Sequence, residues 1–89
     1  MVTQGMQAEI ETKIMSFIRE TFPRAREQAL SNTDSLLDNR IIDSMDILDL
    51  VAFIETEFEI TVDGEDLLPE NFQTIASLAA FVKTKLELH

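Results

Sequence analysis

Apolar residues return at steps of three and four along three separate stretches of this chain, a spacing that lays each set along one side of a helix. Met6, Ile10, Ile14, Phe17, Ile18 and Phe22 form the first stripe. Pro23 ends it near Thr21 or Phe22, because proline lacks the N–H that a helix needs and biases the preceding residue away from helical geometry. A second stripe, of Ile47, Leu50, Val51, Ile54 and Phe58, begins abruptly at Asp43-Ser44. The third comprises Ile75, Leu78, Ala79, Val82 and Leu86, with Thr74 standing where an N-cap belongs.

The connections are less regular. From Pro23 to Asp43 the helical period is lost, and Ser31-Asn32-Thr33-Asp34-Ser35 and Asp38-Asn39 are turn and cap formers, with room for one helical turn over 24–30. Leu36, Leu37, Ile41 and Ile42 require this long loop to be ordered, since four large aliphatics would otherwise face water. Ile60-Thr61-Val62 has the composition of a strand but no second strand to pair with, and Glu65-Asp66-Leu67-Leu68 before Pro69 allows at most a short helical turn. The expected fold is all-α: a four-helix bundle with three longer helices, one short helix and a long ordered first loop. It reads as one domain over 1–89, with an ordered core of about 6–86 and ragged ends at 1–5 and 87–89.

Size and composition then narrow the function. A chain of 89 residues buries a modest core and has little material left for an enclosed active site. The absence of cysteine excludes disulfides, thiolate zinc sites and a cysteine nucleophile, and fits a reducing cytosol. His89 is the only histidine and stands at the end of the sequence, so neither a Ser-His-Asp system nor a histidine metal site is expected. Asp43, Asp46 and Asp49 are spaced by three along a helix, and Asp63-Gly64-Glu65-Asp66 lacks the alternating ligands of a calcium loop. No catalytic or metal residue is assigned. No apolar run approaches the roughly 20 residues that cross a bilayer, and Met1-Val2-Thr3-Gln4-Gly5 lacks the basic and apolar regions of a signal peptide. The expectation is a cytoplasmic protein without membrane insertion.

The formal charge of −10 is placed unevenly. Residues 1–30 balance, 34–70 carry twelve acids against the single Arg40, and 71–89 carry Lys83 and Lys85 against Glu87. Such a field repels nucleic acid and anionic lipid, and its complement is a basic protein surface. On the second helix, Met45, Asp49, Ala52 and Thr56 lie opposite the core stripe, flanked by Asp46, Phe53 and Glu57 on one side and Leu48, Glu55 and Glu59 on the other. The outer face is therefore acidic with apolar residues mixed in.

Ser44 stands where the long loop meets this helix. The plain reading is that Asp43 or Ser44 caps the helix, and Asp43 with Asp46 three residues on has the form of a capping arrangement. A helix start also favours a negatively charged substituent, through its backbone N–H groups and dipole. The two readings are compatible, because a capped, rigid helix is a good mount for a modified serine.

The run from Asp43-Ser44-Met45-Asp46 through Ile54-Glu55-Thr56-Glu57-Phe58 resembles the phosphopantetheine attachment helix of acyl and peptidyl carrier proteins. The resemblance extends over nearly the whole chain, through Ser35-Leu36-Leu37-Asp38, Ile41-Ile42-Asp43-Ser44, Glu59-Ile60-Thr61-Val62 and Phe72-Gln73-Thr74-Ile75. It implies that Ser44 accepts 4′-phosphopantetheine from coenzyme A through a phosphopantetheinyl transferase, and that the terminal thiol of this arm holds an acyl or aminoacyl group as a thioester. Asp43 matches the family's acid before the serine, and Met45 the bulky apolar residue after it that partners contact. Asp46, Asp49, Glu55 and Glu57 fall at or near positions where carriers present acids to basic patches on loading and processing enzymes. Ala52 and Phe53 would add small apolar contacts. Arg40 departs from the pattern, standing close to where many relatives have glycine, and Asn39 is the neighbour suited to a left-handed turn. The resulting expectation is a monomeric, non-enzymatic carrier; the competing readings are an acidic helical adaptor without a prosthetic group and a calcium-responsive module.

Overall fold

The computed structural model describes residues 2–27 and 30–87, with side chains from Gln7 onward. The Met6 side chain, Leu88 and His89, to which the sequence reading gave roles or ragged ends, lie outside the described residues, as does Met1. Among the described residues four α-helices follow one another: α1 (Val2–Thr21), α2 (Pro23–Glu27), α3 (Ser44–Phe58) and α4 (Ile75–Glu87). Two 3₁₀ turns, Gly64–Asp66 and Pro69–Asn71, lie between α3 and α4. No strand occurs among the described residues, and Ile60–Val62 is an extended connection that buries Ile60 in the core.

The three stripes converge. Ile10, Ile14, Ile18 and Phe22 from α1 and its end, Leu50 and Ile54 from α3, and Ile75, Leu78, Ala79 and Val82 from α4 are all buried. Ile47, Val51 and Phe58 complete the α3 stripe at half burial. α1 packs most extensively on α4. It is joined to α3 by an aromatic stack, with the Phe17 and Phe53 rings 4.1 Å apart and near parallel, and Phe22 and Phe58 meeting that stack edge-on. Lys13 seals the same seam from outside, 3.2 Å from Glu57 and over the Phe58 ring.

The short elements lie close to where the sequence allows them. α2 begins at Pro23, whose fixed φ suits the first helical position, and is described to Glu27; of the turn anticipated over 24–30, residues 28–29 lie outside the described residues and Leu30 is not helical. Its Arg26 reaches back to cap α1, with Nη1 2.7 Å from the Arg19 carbonyl and 3.2 Å from that of Glu20. In the later connection the helical turn is Gly64–Asp66, leaving Leu67 and Leu68 outside it and exposed.

The long loop is ordered in the way its aliphatics require. Leu36, Ile41 and Ile42 are buried, and the backbone bonds Leu36 N–H to Gln73 O (2.7 Å) and Ala76 N–H to Asn32 O (2.9 Å) tie it to the start of α4. α4 itself starts as read: Thr74 Oγ1 accepts from Ser77 N–H at 2.9 Å, and Ser77 Oγ returns the favour to Thr74 N–H at 3.0 Å.

Candidate functional site

The approach to Ser44 is a single closed turn. Ser35 Oγ accepts from the Asp38 N–H (3.1 Å) and opens the turn as a cap. Asn39 N–H bonds to Ser35 O, Arg40 N–H to Leu37 O at 3.1 Å, and Ile41 N–H reaches back to Leu36 O at 2.9 Å. The last two bonds are the paired closures of a Schellman motif, with buried Leu36 and Ile41 supplying its apolar contact. The residue forced into the left-handed region is Arg40, at φ 58°. This corrects the expectation for Asn39: the Leu36–Ile41 contact fixes the register, and the left-handed position falls one residue later than the side chain best suited to it. A Cβ there costs roughly 1–2 kcal/mol. The Arg24 guanidinium on α2 donates to the Arg40 carbonyl at 2.8 Å.

Asp43 then caps α3. One of its carboxylate oxygens accepts from Met45 N–H and Asp46 N–H, both at 3.0 Å, while Asp46 Oδ2 accepts from Asp43 N–H at 3.0 Å. This reciprocal box satisfies donors that would otherwise be orphaned at the helix start. It also narrows one inference about a substituent on Ser44: the Met45 and Asp46 N–H groups are already taken by Asp43, so of the first three helical N–H groups only that of Ser44 itself, with the helix dipole, remains to favour added negative charge. Ser44 is the first residue of the helix, exposed, and its hydroxyl makes no hydrogen bond among the described residues. A groove of about 340 Å³ beside it runs between the α1–α2 corner and α3, with Arg24 on one wall and Asp43, Asp46 and Asp49 on the other.

The proposed partner residues divide into two groups. Met45 (75 % exposed), Asp49 and Ala52 face solvent on the Ser44 side of α3. Asp46, Phe53, Glu55 and Glu57 have structural partners: Asp46 in the capping box, Phe53 stacked on Phe17, Glu55 accepting the Val62 N–H at 2.9 Å, and Glu57 paired with Lys13. Leu48, 62 % exposed, was not among the site residues read from sequence. It lies one turn beyond Ser44 and between Met45 and Ala52, and that three-and-four spacing is the signal that identifies it. Among the described residues no cluster of three or more carboxylates or other ligating side chains is arranged to hold a metal ion, and no helix is long and apolar enough to cross a membrane.

On this small helical bundle the Ser44 hydroxyl is thus exposed and unengaged among the described residues, on a helix that Asp43 caps. Residues 13–82 match the family model described as a phosphopantetheine attachment site. The chain is 30 % identical over 80 residues to the "Probable acyl carrier protein PigG" of Serratia sp. (strain ATCC 39006), covering 90 % of this chain and 91 % of that protein. It is 33 % identical over 78 residues to an acyl carrier protein of Thermotoga maritima, covering 88 % and 93 % respectively. It is 25 % identical over 84 residues to "Aminoacyl carrier protein 1" of Bradyrhizobium diazoefficiens, covering 94 % and 93 %. The chain belongs to the phosphopantetheine-binding carrier protein family. Its prosthetic group is a covalently attached 4′-phosphopantetheine. Carriers of this kind are in general not catalysts themselves; they work with a phosphopantetheinyl transferase and with biosynthetic enzymes.

Proposed function

We propose that Ser44 is the attachment point of the arm, on a single carrier domain that works as a cytoplasmic monomer without catalysis of its own. The observation that carries this reading is the division of labour at the start of α3. Asp43 does the capping, which leaves the Ser44 hydroxyl exposed and without a hydrogen bond among the described residues. Loading forms a bond from Ser44 Oγ to the phosphorus that bears pantetheine in coenzyme A and breaks the phosphoanhydride bond to 3′,5′-adenosine bisphosphate. The hydroxyl proton passes to a base of the transferase. The arm then supplies a thiol on which cargo is held as a thioester.

This chain's residues present the arm. Met45, Leu48 and Ala52 form an apolar strip beside Ser44, with Asp49 along it. Loading and processing enzymes with basic docking patches complement that surface: charge speeds encounter, and the small apolar strip gives a contact that releases readily. Asp46, Glu55 and Glu57 add to the field while holding α3 in place. The relatives named as acyl and as aminoacyl carriers support a thioester cargo of either kind. The test is intact mass and peptide mapping after incubation with coenzyme A and a broad-specificity transferase. The wild type gains one phosphopantetheine on the peptide that contains Ser44, and Ser44→Ala gains none; modification that persists in the variant refutes the assignment.

A further inference from the structure

We infer that Arg24 is a positioning residue for the loading of Ser44, acting through the backbone of Arg40. The inference deepens the reading of Ser44 as the attachment point and rests on it. Three observations meet at this place. Arg40 occupies the left-handed position that ends the turn ahead of the site, at φ 58°, where any residue with a Cβ is strained. Its carbonyl receives the Arg24 guanidinium at 2.8 Å, a charge-assisted bond from a residue sixteen positions earlier in the chain. From Arg40 only Ile41 and Ile42, both buried, and the cap Asp43 separate this bond from Ser44.

The geometry gives the bond a direction of action. A left-handed residue reverses the chain, so its φ and ψ set the angle at which 41–43 leave the turn and enter α3. If the peptide after Arg40 relaxes toward the right-handed region, the Ile41 N–H turns away from the Leu36 carbonyl and the entry to α3 shifts. Ser44 is the first helical residue and moves with that entry. The Arg24 bond holds the carbonyl in the strained setting, and transfer of the arm needs the Ser44 oxygen aligned with phosphorus in the transferase. Misplacement of a reacting atom by about 1 Å costs on the order of a hundredfold in rate, and a mixture of aligned and relaxed forms costs less.

The experiment measures loading of the full chain with coenzyme A and a broad-specificity transferase, as kcat and KM for the carrier, beside amide hydrogen exchange. Arg24→Met keeps the aliphatic stem and removes the donor. It should lower kcat about tenfold, the loss of one charge-assisted hydrogen bond read through the alignment of Ser44, with KM little changed, and it should speed exchange of the Ile41 N–H but not of Leu78 in α4. Arg24→Lys, which can still donate, should recover part of the rate. The decisive variant is Arg24→Met combined with Arg40→Gly: glycine adopts the left-handed setting without strain and should restore loading to within about twofold of wild type. Arg24→Met combined with Arg40→Gln removes the same charge at position 40 but not the strain, and should not restore it.

A rate for Arg24→Met equal to wild type overturns the inference. So does an effect confined to KM that salt abolishes, because Arg24 would then act on encounter with the transferase, and so does rescue by glutamine equal to rescue by glycine. Should Arg24→Met lose helical circular dichroism, the Arg24→Lys and Arg40→Gly single variants carry the comparison, with Arg24→Lys slower than wild type and Arg40→Gly loading at least as fast. Wild-type protein that loads at a residue other than Ser44, or not at all, defeats the attachment reading instead, and the exchange of the Ile41 amide still reports on the Arg24 bond.

Discussion

At the scale of single residues, Asp43 and Ser44 are neighbours with separable duties. Asp43→Ala removes the carboxylate that receives two N–H groups and breaks the capping box, so unfolding in urea should show a loss of about 1–2 kcal/mol. Ser44→Ala should change stability by less than about 0.5 kcal/mol, since its hydroxyl has no partner to lose. Equal losses for the two would reassign the cap. Leu48 and Leu50 make a second contrast within one turn of α3. Leu50 is fully buried and its replacement by alanine should cost about 2–5 kcal/mol, whereas Leu48→Ala should leave stability within about 0.5 kcal/mol of wild type and slow transfer to partner enzymes. The buried leucine was legible in the sequence because it fell on the core stripe. The exposed one was legible only in its three-and-four spacing from Met45 and Ala52, on the flank of the outer face, and its 62 % exposure is what places it with them.

At the scale of elements, the long helices were legible and the short ones only in part. α1, α3 and α4 announce themselves by repeated apolar spacing and by caps at Asp43 and Thr74. α2 and the two 3₁₀ turns are too short to show a period, and tertiary contacts hold two of them: Arg26 folds back on α1, and Lys85 of α4 reaches Asp66 at 2.7 Å and Asp63 at 3.7 Å. The left-handed Arg40 was hidden for the same reason, since its position is set by the meeting of Leu36 and Ile41. The Lys85 contact carries a pH signature. The hydrogen bond from Lys85, with a lesser one from the Asp63 N–H, holds the Asp66 carboxyl below the ordinary aspartate value, and the hydrogen bond to Asp66 raises Lys85 above the ordinary lysine value. Asp66 binds its proton more weakly in the folded than in the unfolded chain. Its contribution is therefore full above the unfolded value, near pH 4, and is lost as pH falls through the lower folded value. That of Lys85 is full below about pH 10 and is lost as pH rises through the higher folded value. Melting temperature against pH should thus fall more steeply below about pH 4 in the wild type than in Asp66→Asn; parallel curves would show that the contact does not contribute.

At the scale of the whole molecule, the acidic middle of the chain repels itself. Twelve acids against Arg40 over residues 34–70 leave a field that added salt should relieve, so the melting temperature should rise between low and moderate ionic strength. A flat or falling trend would mean that local pairs such as Lys13–Glu57 already compensate it. The same field should act on partners by position and not by total. Asp49→Lys, on the Ser44 side of α3, should slow arm transfer and reduce its sensitivity to salt, while Glu9→Lys, exposed on α1, should do much less. Equal effects from the two would leave net charge as the sole determinant and remove the case for a docking face.

The cap at Asp43 has one more consequence. A helix start closed by its neighbour's carboxylate does not depend on what the serine oxygen is bonded to, so if Ser44 carries the arm the cap of α3 should persist when the arm is attached. Melting temperatures of the bare and pantetheinylated forms should then lie within about 2 °C of each other. If Ser44 carries the arm, partner enzymes should then meet the same helix start before and after the arm is attached.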